Sequence, residues 1–197
     1  MRLLLFSDLH GDSIHYESLR KKARDSEAVI NAGDLSHMGL DLSLMILRLS
    51  ELRRPVISIH GNHEGRHEMA EACSEYDNMI FLHKGVHMYK DLVIMGYGGG
   101  GFTSVDAEFS VVANKFFRKY MPSARSSILV THAPPFRTRL DLIGGEHHGN
   151  KSIRQFIEDS QPTIAVCGHL HENFTKTDRI GQTMIVNPGP SGVIVDV

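Results

Sequence analysis

Arg2-Leu3-Leu4-Leu5-Phe6-Ser7-Asp8-Leu9-His10 is the stretch from which the rest of the chain is read. It is a short apolar run that ends on a carboxylate and an imidazole. Such a run reads as a buried strand feeding a functional loop. The arrangement recurs downstream. Residues 28–31 lead into Gly33-Asp34, and residues 56–60 lead into Gly61-Asn62-His63-Glu64. Residues 127–131 end on Thr131-His132, and residues 163–167 lead into Gly168-His169-Leu170-His171. One His after a strand means little, but five such clusters in series are hard to obtain by chance.

The remaining pattern fills in an architecture. Residues 79–82, 86–89 and 92–96 read as a meander of short strands, with further strands at 183–186 and 193–197. Residues 13–24 read as a helix with Tyr16, Leu19 and Ala23 on one face and Asp12 as N-cap. Residues 41–53 place Leu42, Met45, Ile46, Leu49 and Leu52 at amphipathic spacing, with Pro55 as a stop. Helices are also expected at 67–75, 107–120 and 151–160, the last ended by Pro162. The order is β-α-β-α-β-α followed by a strand-rich second half. Parallel strands with crossovers are expected first, then a mixed or antiparallel sheet. Two sheets packed face to face with helices outside satisfy both. No internal repeat or linker divides residues 1–197, so one domain is expected.

Bulk composition sets limits. The chain has 197 residues and a formal charge of −2, which gives no whole-protein attraction for nucleic acid. Its two cysteines, Cys73 and Cys167, form no CxxC pair, which argues against a disulfide framework and fits a reducing compartment. The apolar run 3–6 is too short for a signal-peptide core or a membrane span, so a cytoplasmic location and no membrane partner are expected.

Carboxylate, amide oxygen and imidazole are donors that divalent transition metals accept. Placed after strands, they would gather where loops converge at the carboxyl ends of a parallel sheet. Asp8 and His10 point the same way in an extended stretch, as do His169 and His171. Asp34 is the natural carboxylate to bridge two cations, and Asn62 would bind through its amide oxygen. Two cations about 3.5–4 Å apart would share an acidified water as nucleophile and neutralise charge on phosphoryl oxygens. His63 is expected to face differently from Asn62. It is a candidate to protonate a leaving alkoxide or to bind a phosphoryl oxygen.

The pattern resembles the calcineurin-like metallophosphoesterase family, whose motifs run D-x-H, G-D, G-N-H-[D/E], H and G-H-x-H. Every one is present in order between Asp8 and His171. The resemblance implies a four-layer α-β-β-α sandwich of two mixed sheets and a two-metal centre. Carried over by motif, one metal would take Asp8, His10, Asp34 and His171. The other would take Asp34, Asn62, His132 and His169, with His63 and Asp34 as catalytic residues. Manganese is the metal expected first; iron, zinc, nickel and cobalt also suit the donors. Members with protein phosphatase activity carry G-D-x-x-D-R-G. Here His37 and Met38 stand at the Asp and Arg of that motif, and Met cannot clamp phosphate. The expected activity is therefore hydrolysis of a small phosphodiester, nucleotides among the candidates, with a monoester as alternative. A catalytically weak scaffold of the same fold, binding a protein partner, is the competing reading. A homo-oligomer built on an edge strand is compatible with either.

Several residues keep two readings. His37 is a substrate contact, alongside Asn62 and His63, or a solvated loop residue. Glu64 is a support that orients a site residue or a surface ion-pair partner. His60 is expected to be packed. His147 and His148 are read as exposed loop residues, and His15, His67, His83 and His87 as surface residues. Gly98-Gly99-Gly100-Gly101 lacks phosphate-loop spacing and reads as a tight loop near the site, with a lid role as alternative. Arg137 and Arg139 steer an anion or are solvated. Cys167 is a buried structural thiol.

Overall fold

Period-two alternation along the strands sorts side chains into three apolar layers. A computed structural model describes residues 1–121 and 125–197. In β1 (Arg2–Phe6), Leu3 and Leu5 enter one layer while Leu4 and Phe6 enter another. One sheet has the order β13-β1-β2-β3-β4, with β2 at Ala28–Asn31, β3 at Val56–Ser58, β4 at Met79–Phe81 and β13 at Val193–Asp196. β1 to β4 are parallel and β13 is antiparallel to β1. The second sheet has the order β11-β12-β10-β7-β6-β5. Its strands are β5 (Gly85–Tyr89), β6 (Leu92–Tyr97), β7 (Ser126–Thr131), β10 (Ile164–Val166), β11 (Thr177–Ile180) and β12 (Thr183–Val186). Its four central strands are parallel and both edges antiparallel.

Leu3, Leu5, Ile30, Ile57, Ile94, Ile128, Val130 and Val166 fill the layer between the sheets. On the outer face of the first sheet, Leu4, Phe6 and Val29 meet α1 (Ser13–Ala23), α2 (Leu42–Ser50) and α3 (Arg66–Ser74). On the outer face of the second, Val93, Met95 and Leu129 meet α4 (Ala107–Val112) and α6 (Lys151–Ser160). The α-β-β-α sandwich of two mixed sheets expected from the sequence is what forms. Asp12 caps α1, accepting from the backbone N–H of Ile14 at 2.7 Å and of His15 at 2.8 Å.

Three expectations fail for physical reasons. Strands 79–82, 86–89 and 92–96 are not one meander. β4 closes the first sheet while β5 and β6 open the second, because the turn at Lys84 (φ 53°) carries the chain across the core. Residues 107–120 are not one regular helix; α4 gives way to a π-helical stretch, Ala113–Phe117, and then α5, Arg118–Tyr120. β11 and a small hairpin of β8 (Leu142–Ile143) and β9 (Glu146–His147) were not expected. β11 carries Asp178 and Arg179 on an exposed edge, so apolar patterning is weak there.

Candidate metal centre

Every cluster singled out in the sequence leaves the carboxyl end of a parallel strand, three from one sheet and two from the other. The first loops are laced together by backbone hydrogen bonds. Asp8 N–H donates to Gly33 O at 2.9 Å and His10 N–H to Asp34 O at 3.1 Å. Gly33 has φ +98°, and a Cβ there would lie 2.7 Å from Gly61 N and 2.8 Å from His132 Nδ1. Only glycine allows those three loops to meet.

The extended geometry expected for Asp8/His10 and His169/His171 is not what brings them together. Asp8 (φ 53°), His10 (46°), Asp34 (53°) and His169 (70°) are all left-handed. Non-glycine residues avoid that region, at a cost of about 1–3 kcal/mol each. The turns re-aim the side chains into one cavity after each strand has ended.

Asp34 lies at the middle of the cluster. Its Oδ2 is 3.3 Å from His132 Nε2 and 3.8 Å from both His10 Nε2 and His63 Nε2. Its Oδ1 accepts from the backbone N–H of His63 at 3.0 Å. On one side, His10 Nε2 and His171 Nε2 are 3.2 Å apart, and His171 Nε2 is 3.6 Å from Asp8 Oδ1. On the other, His132 Nε2 is 3.0 Å from Asn62 Oδ1, and the His132 and His169 rings are 5.2 Å apart. His169 Nε2 is buried without a hydrogen-bond partner.

This donor set fits cations. His132 Nδ1 lies 2.8 Å from Ala32 O and His10 Nδ1 lies 3.3 Å from Ser36 O. A proton on each Nδ1 satisfies those carbonyls and turns the Nε2 lone pairs inward. Lone pairs of imidazole, amide oxygen and carboxylate then converge with no donor among them. Protons fill the gap in the metal-free protein. Burial opposes charge on His132, but the hydrogen bond and charge of Asp34 outweigh it and carry its pKa to about 9. Burial likewise opposes charge on Asp34, yet His132 and the N–H of His63 hold its carboxyl well below the usual range. Burial takes His169 down to about 4 and also lowers His10, so both offer lone pairs at neutral pH. Asp8, by its hydrogen bond, raises His171.

Supports surround the donors. Glu64 is 6% exposed and accepts from Ser36 N–H at 2.8 Å, Ser36 Oγ at 3.0 Å and Gly61 N–H at 3.0 Å. It ties the loop of Asp34 to the loop of Asn62 and is no surface ion pair. The Asp8 carboxylate accepts from His169 N–H at 3.0 and 3.2 Å, joining the two sheets. His37 is exposed at the rim, its ring 5.9 Å from that of His63. His63 and Asn62 line the same cavity rather than facing apart.

Other histidines divide differently from the expectation. His60 is buried, as expected, but His83 is no surface residue. Its Nδ1 accepts from Gly98 N–H at 3.1 Å, and its ring packs 4.6 Å from that of His60. His15 is half-buried and bonded to Ser191 Oγ at 2.8 Å. His87 is half-buried, and only His67 of the four is exposed. His147 is exposed but held 2.7 Å from the buried Asp141 carboxylate. Arg137 and Arg139 lie outside the cavity lining, and Cys167 is buried, which pushes its thiol pKa up. The cavity over the centre measures about 320 Å³. It adds Phe102, Ile143, Leu170 and Glu172, which the sequence reading passed over. An exposed aromatic directly after four glycines was the available signal for Phe102.

A model of the family described as calcineurin-like phosphoesterase matches residues 1–173. The uncharacterized protein MJ1162 of Methanocaldococcus jannaschii is 28% identical over 205 residues, covering 99% of this chain and 91% of that protein. Among solved structures, TT1561 of Thermus thermophilus superposes with a TM-score of 0.77 at 18% identity, covering 96% of this chain and 90% of the other. A dimetal phosphatase from Danio rerio superposes with a TM-score of 0.62 at 9% identity, covering 95% and 86%. These likenesses extend over nearly the whole sandwich. No helix among the described residues is long and apolar enough to cross a membrane.

Proposed function

This chain belongs to the calcineurin-like phosphoesterase family, and from that premise we propose that it is a two-metal phosphodiesterase acting on a small phosphodiester. The observation that carries the reading is one carboxylate, Asp34, shared by two donor clusters. One cluster is Asp8, His10 and His171; the other is Asn62, His132 and His169. Divalent cations held there would supply an acidified water and neutralise charge on phosphoryl oxygens. Manganese is our first choice, because the set mixes carboxylate and amide oxygen with imidazole.

The chain's own residues do the rest. Asp34 fixes the spacing of the clusters and, through its Oδ1, holds the backbone of His63. His63 reaches the cavity with its Nε2 3.8 Å from Asp34 Oδ2 and donates the proton to the leaving oxygen. Asn62, besides its amide oxygen, offers an NH₂ to a phosphoryl oxygen, and His37 at the rim offers a further polar contact. Diester preference is supported by the lining, which contains no Arg or Lys among the described residues. A monoester dianion gains most from such a cation, and Met38 stands where a clamping Arg would. Free, buried Cys73 and Cys167 support a reducing compartment such as the cytoplasm.

The test compares bis-p-nitrophenyl phosphate with p-nitrophenyl phosphate, using metal-free protein, added Mn²⁺ and His63→Ala. Metal-dependent turnover of the diester, reduced about 10²–10⁴-fold in the variant with metal content kept, is expected. Turnover of the monoester alone would overturn the diester preference. Bound metal with no turnover of either would favour the scaffold, for which Met38, Leu40 and Leu44 offer exposed apolar surface.

A further inference from the structure

Phe102 is an exposed aromatic ring held at a phosphoester centre. It is 67% exposed, yet its ring centroid is 4.5 Å from that of His169 and 6.2 Å from that of His148. It lines the same cavity as Asp34, Asn62 and His63. Exposed rings are common on surfaces and need no purpose. This one differs in being built into place on both sides.

Before it, Gly98 N–H donates to His83 Nδ1 at 3.1 Å and Gly99 N–H to His60 O at 2.9 Å. After it, Thr103 O accepts from Asn150 Nδ2 at 2.8 Å and Ser104 O from Lys151 N–H at 2.8 Å. The tip is closed by Thr103 Oγ1 donating to Gly100 O at 3.2 Å. Gly99, Gly100 and Gly101 have φ of +81°, +105° and +68°, a path that side chains rarely adopt. A Cβ on Gly101 would already touch His169 Cε1 at 3.5 Å and Asn62 Oδ1 at 3.7 Å. The backbone thus runs close enough to two candidate ligands that a side chain at Gly101 would fill the gap, while the next residue presents its ring to solvent. Folding gains little from burying this ring. The loop that carries it is nevertheless fixed by hydrogen bonds at each end.

We infer that Phe102 is the specificity platform of the site, stacking against the nucleobase of a nucleoside phosphodiester whose phosphorus lies over Asp34. The inference rests on the phosphodiesterase reading. An open aromatic face recognises a flat ring by stacking, whichever base it is. Ile143, on the β8–β9 hairpin, and Leu170 add apolar lining to the same cavity. A volume of about 320 Å³ suits one nucleoside rather than a polymer.

Binding decides the question without turnover. Adenosine 5′-monophosphate and ribose 5-phosphate are titrated calorimetrically into the protein with and without Mn²⁺. The nucleotide is expected to bind about tenfold more tightly than the sugar phosphate. In Phe102→Ala that preference should vanish while ribose 5-phosphate affinity holds, and Phe102→Tyr should restore it. With a nucleoside phosphodiester as substrate, Phe102→Ala should raise KM about tenfold and leave kcat within about twofold. Equal affinities in the unaltered protein, or a preference that survives Phe102→Ala, would overturn the inference. Hydrolysis of bis-p-nitrophenyl phosphate by the unaltered protein separates the two claims. Turnover with no base preference sinks the platform and leaves the phosphodiesterase reading standing. Base preference with no turnover of either bis-p-nitrophenyl phosphate or a nucleoside phosphodiester sinks that reading and leaves Phe102 a base-stacking residue of a nucleotide-binding site.

Discussion

His132 and His171 leave neighbouring strands of the same sheet and address the centre through the same nitrogen, yet their surroundings are opposite. The His132 side chain has no exposed surface, whereas that of His171 is 53% exposed. His132 follows β7 immediately and slides under the other sheet, where Ala32 O binds its Nδ1 and Gly33 covers it. His171 lies beyond β10, at the start of a 3-10 turn, with Phe174 stacked on its ring at 4.8 Å and the His10 ring 5.1 Å away. His132 is therefore closed in by the opposite sheet while His171 stays open to solvent. Donor identity is local in sequence, while depth is set by what the other sheet brings over it.

Breaking the link between the halves should have the largest effect. Asp34→Asn removes the shared carboxylate and should lower activity on the order of 10³-fold, with metal content falling in both halves. Assay and elemental analysis of the same samples check it, and near-normal turnover would remove Asp34 from the bridging position. Next comes the contrast between the halves. His171→Ala should lose metal from the half it shares with Asp8 and His10 alone, so that affinity for one of two ions drops by about 10–100-fold while the fold is kept. His132→Ala should lose metal and also lower the melting temperature, because it leaves a buried cavity and the Asp34 charge without its partner.

Glu64→Gln sharpens the comparison from outside the donor set. It weakens the tie between the loops of Asp34 and Asn62, and a loss of about 1–3 kcal/mol in chemical denaturation is expected, with less in the metal-loaded form. pH separates the metal-free from the metal-loaded protein. His132 in the metal-free protein titrates near 9, above its unfolded value of about 6.5. Its contribution to stability is fully present below pH 6.5 and is lost as pH rises through 9. The metal-free protein should therefore melt at progressively lower temperature over that window. The metal-loaded protein, with His132 deprotonated by coordination, should not, and a parallel decline in both forms would contradict this account.

Much of this was legible from residue order. The strands 2–6, 28–31 and 183–186 and the cap at Asp12 follow local rules of alternation and side-chain acceptance. The residues that gather at the cavity were legible because carboxylate, amide and imidazole recur after apolar runs. What brings them together was not, since Asp8, His10, Asp34 and His169 adopt a backbone conformation that only the crossing loops impose. His83 read as a surface residue because its partner, Gly98 N–H, lies on a different strand end. Assigning β4 to the first sheet and β5 to the second likewise depended on tertiary packing rather than on either segment's composition.

The most direct measurement is electron paramagnetic resonance of metal-free protein titrated with Mn²⁺, beside Asp34→Asn. Two closely spaced ions sharing a carboxylate should give an exchange-coupled spectrum once two equivalents are bound, and the variant should lose it. Two equivalents bound with only the signal of isolated Mn²⁺, or coupling that survives Asp34→Asn, would contradict a centre bridged by Asp34.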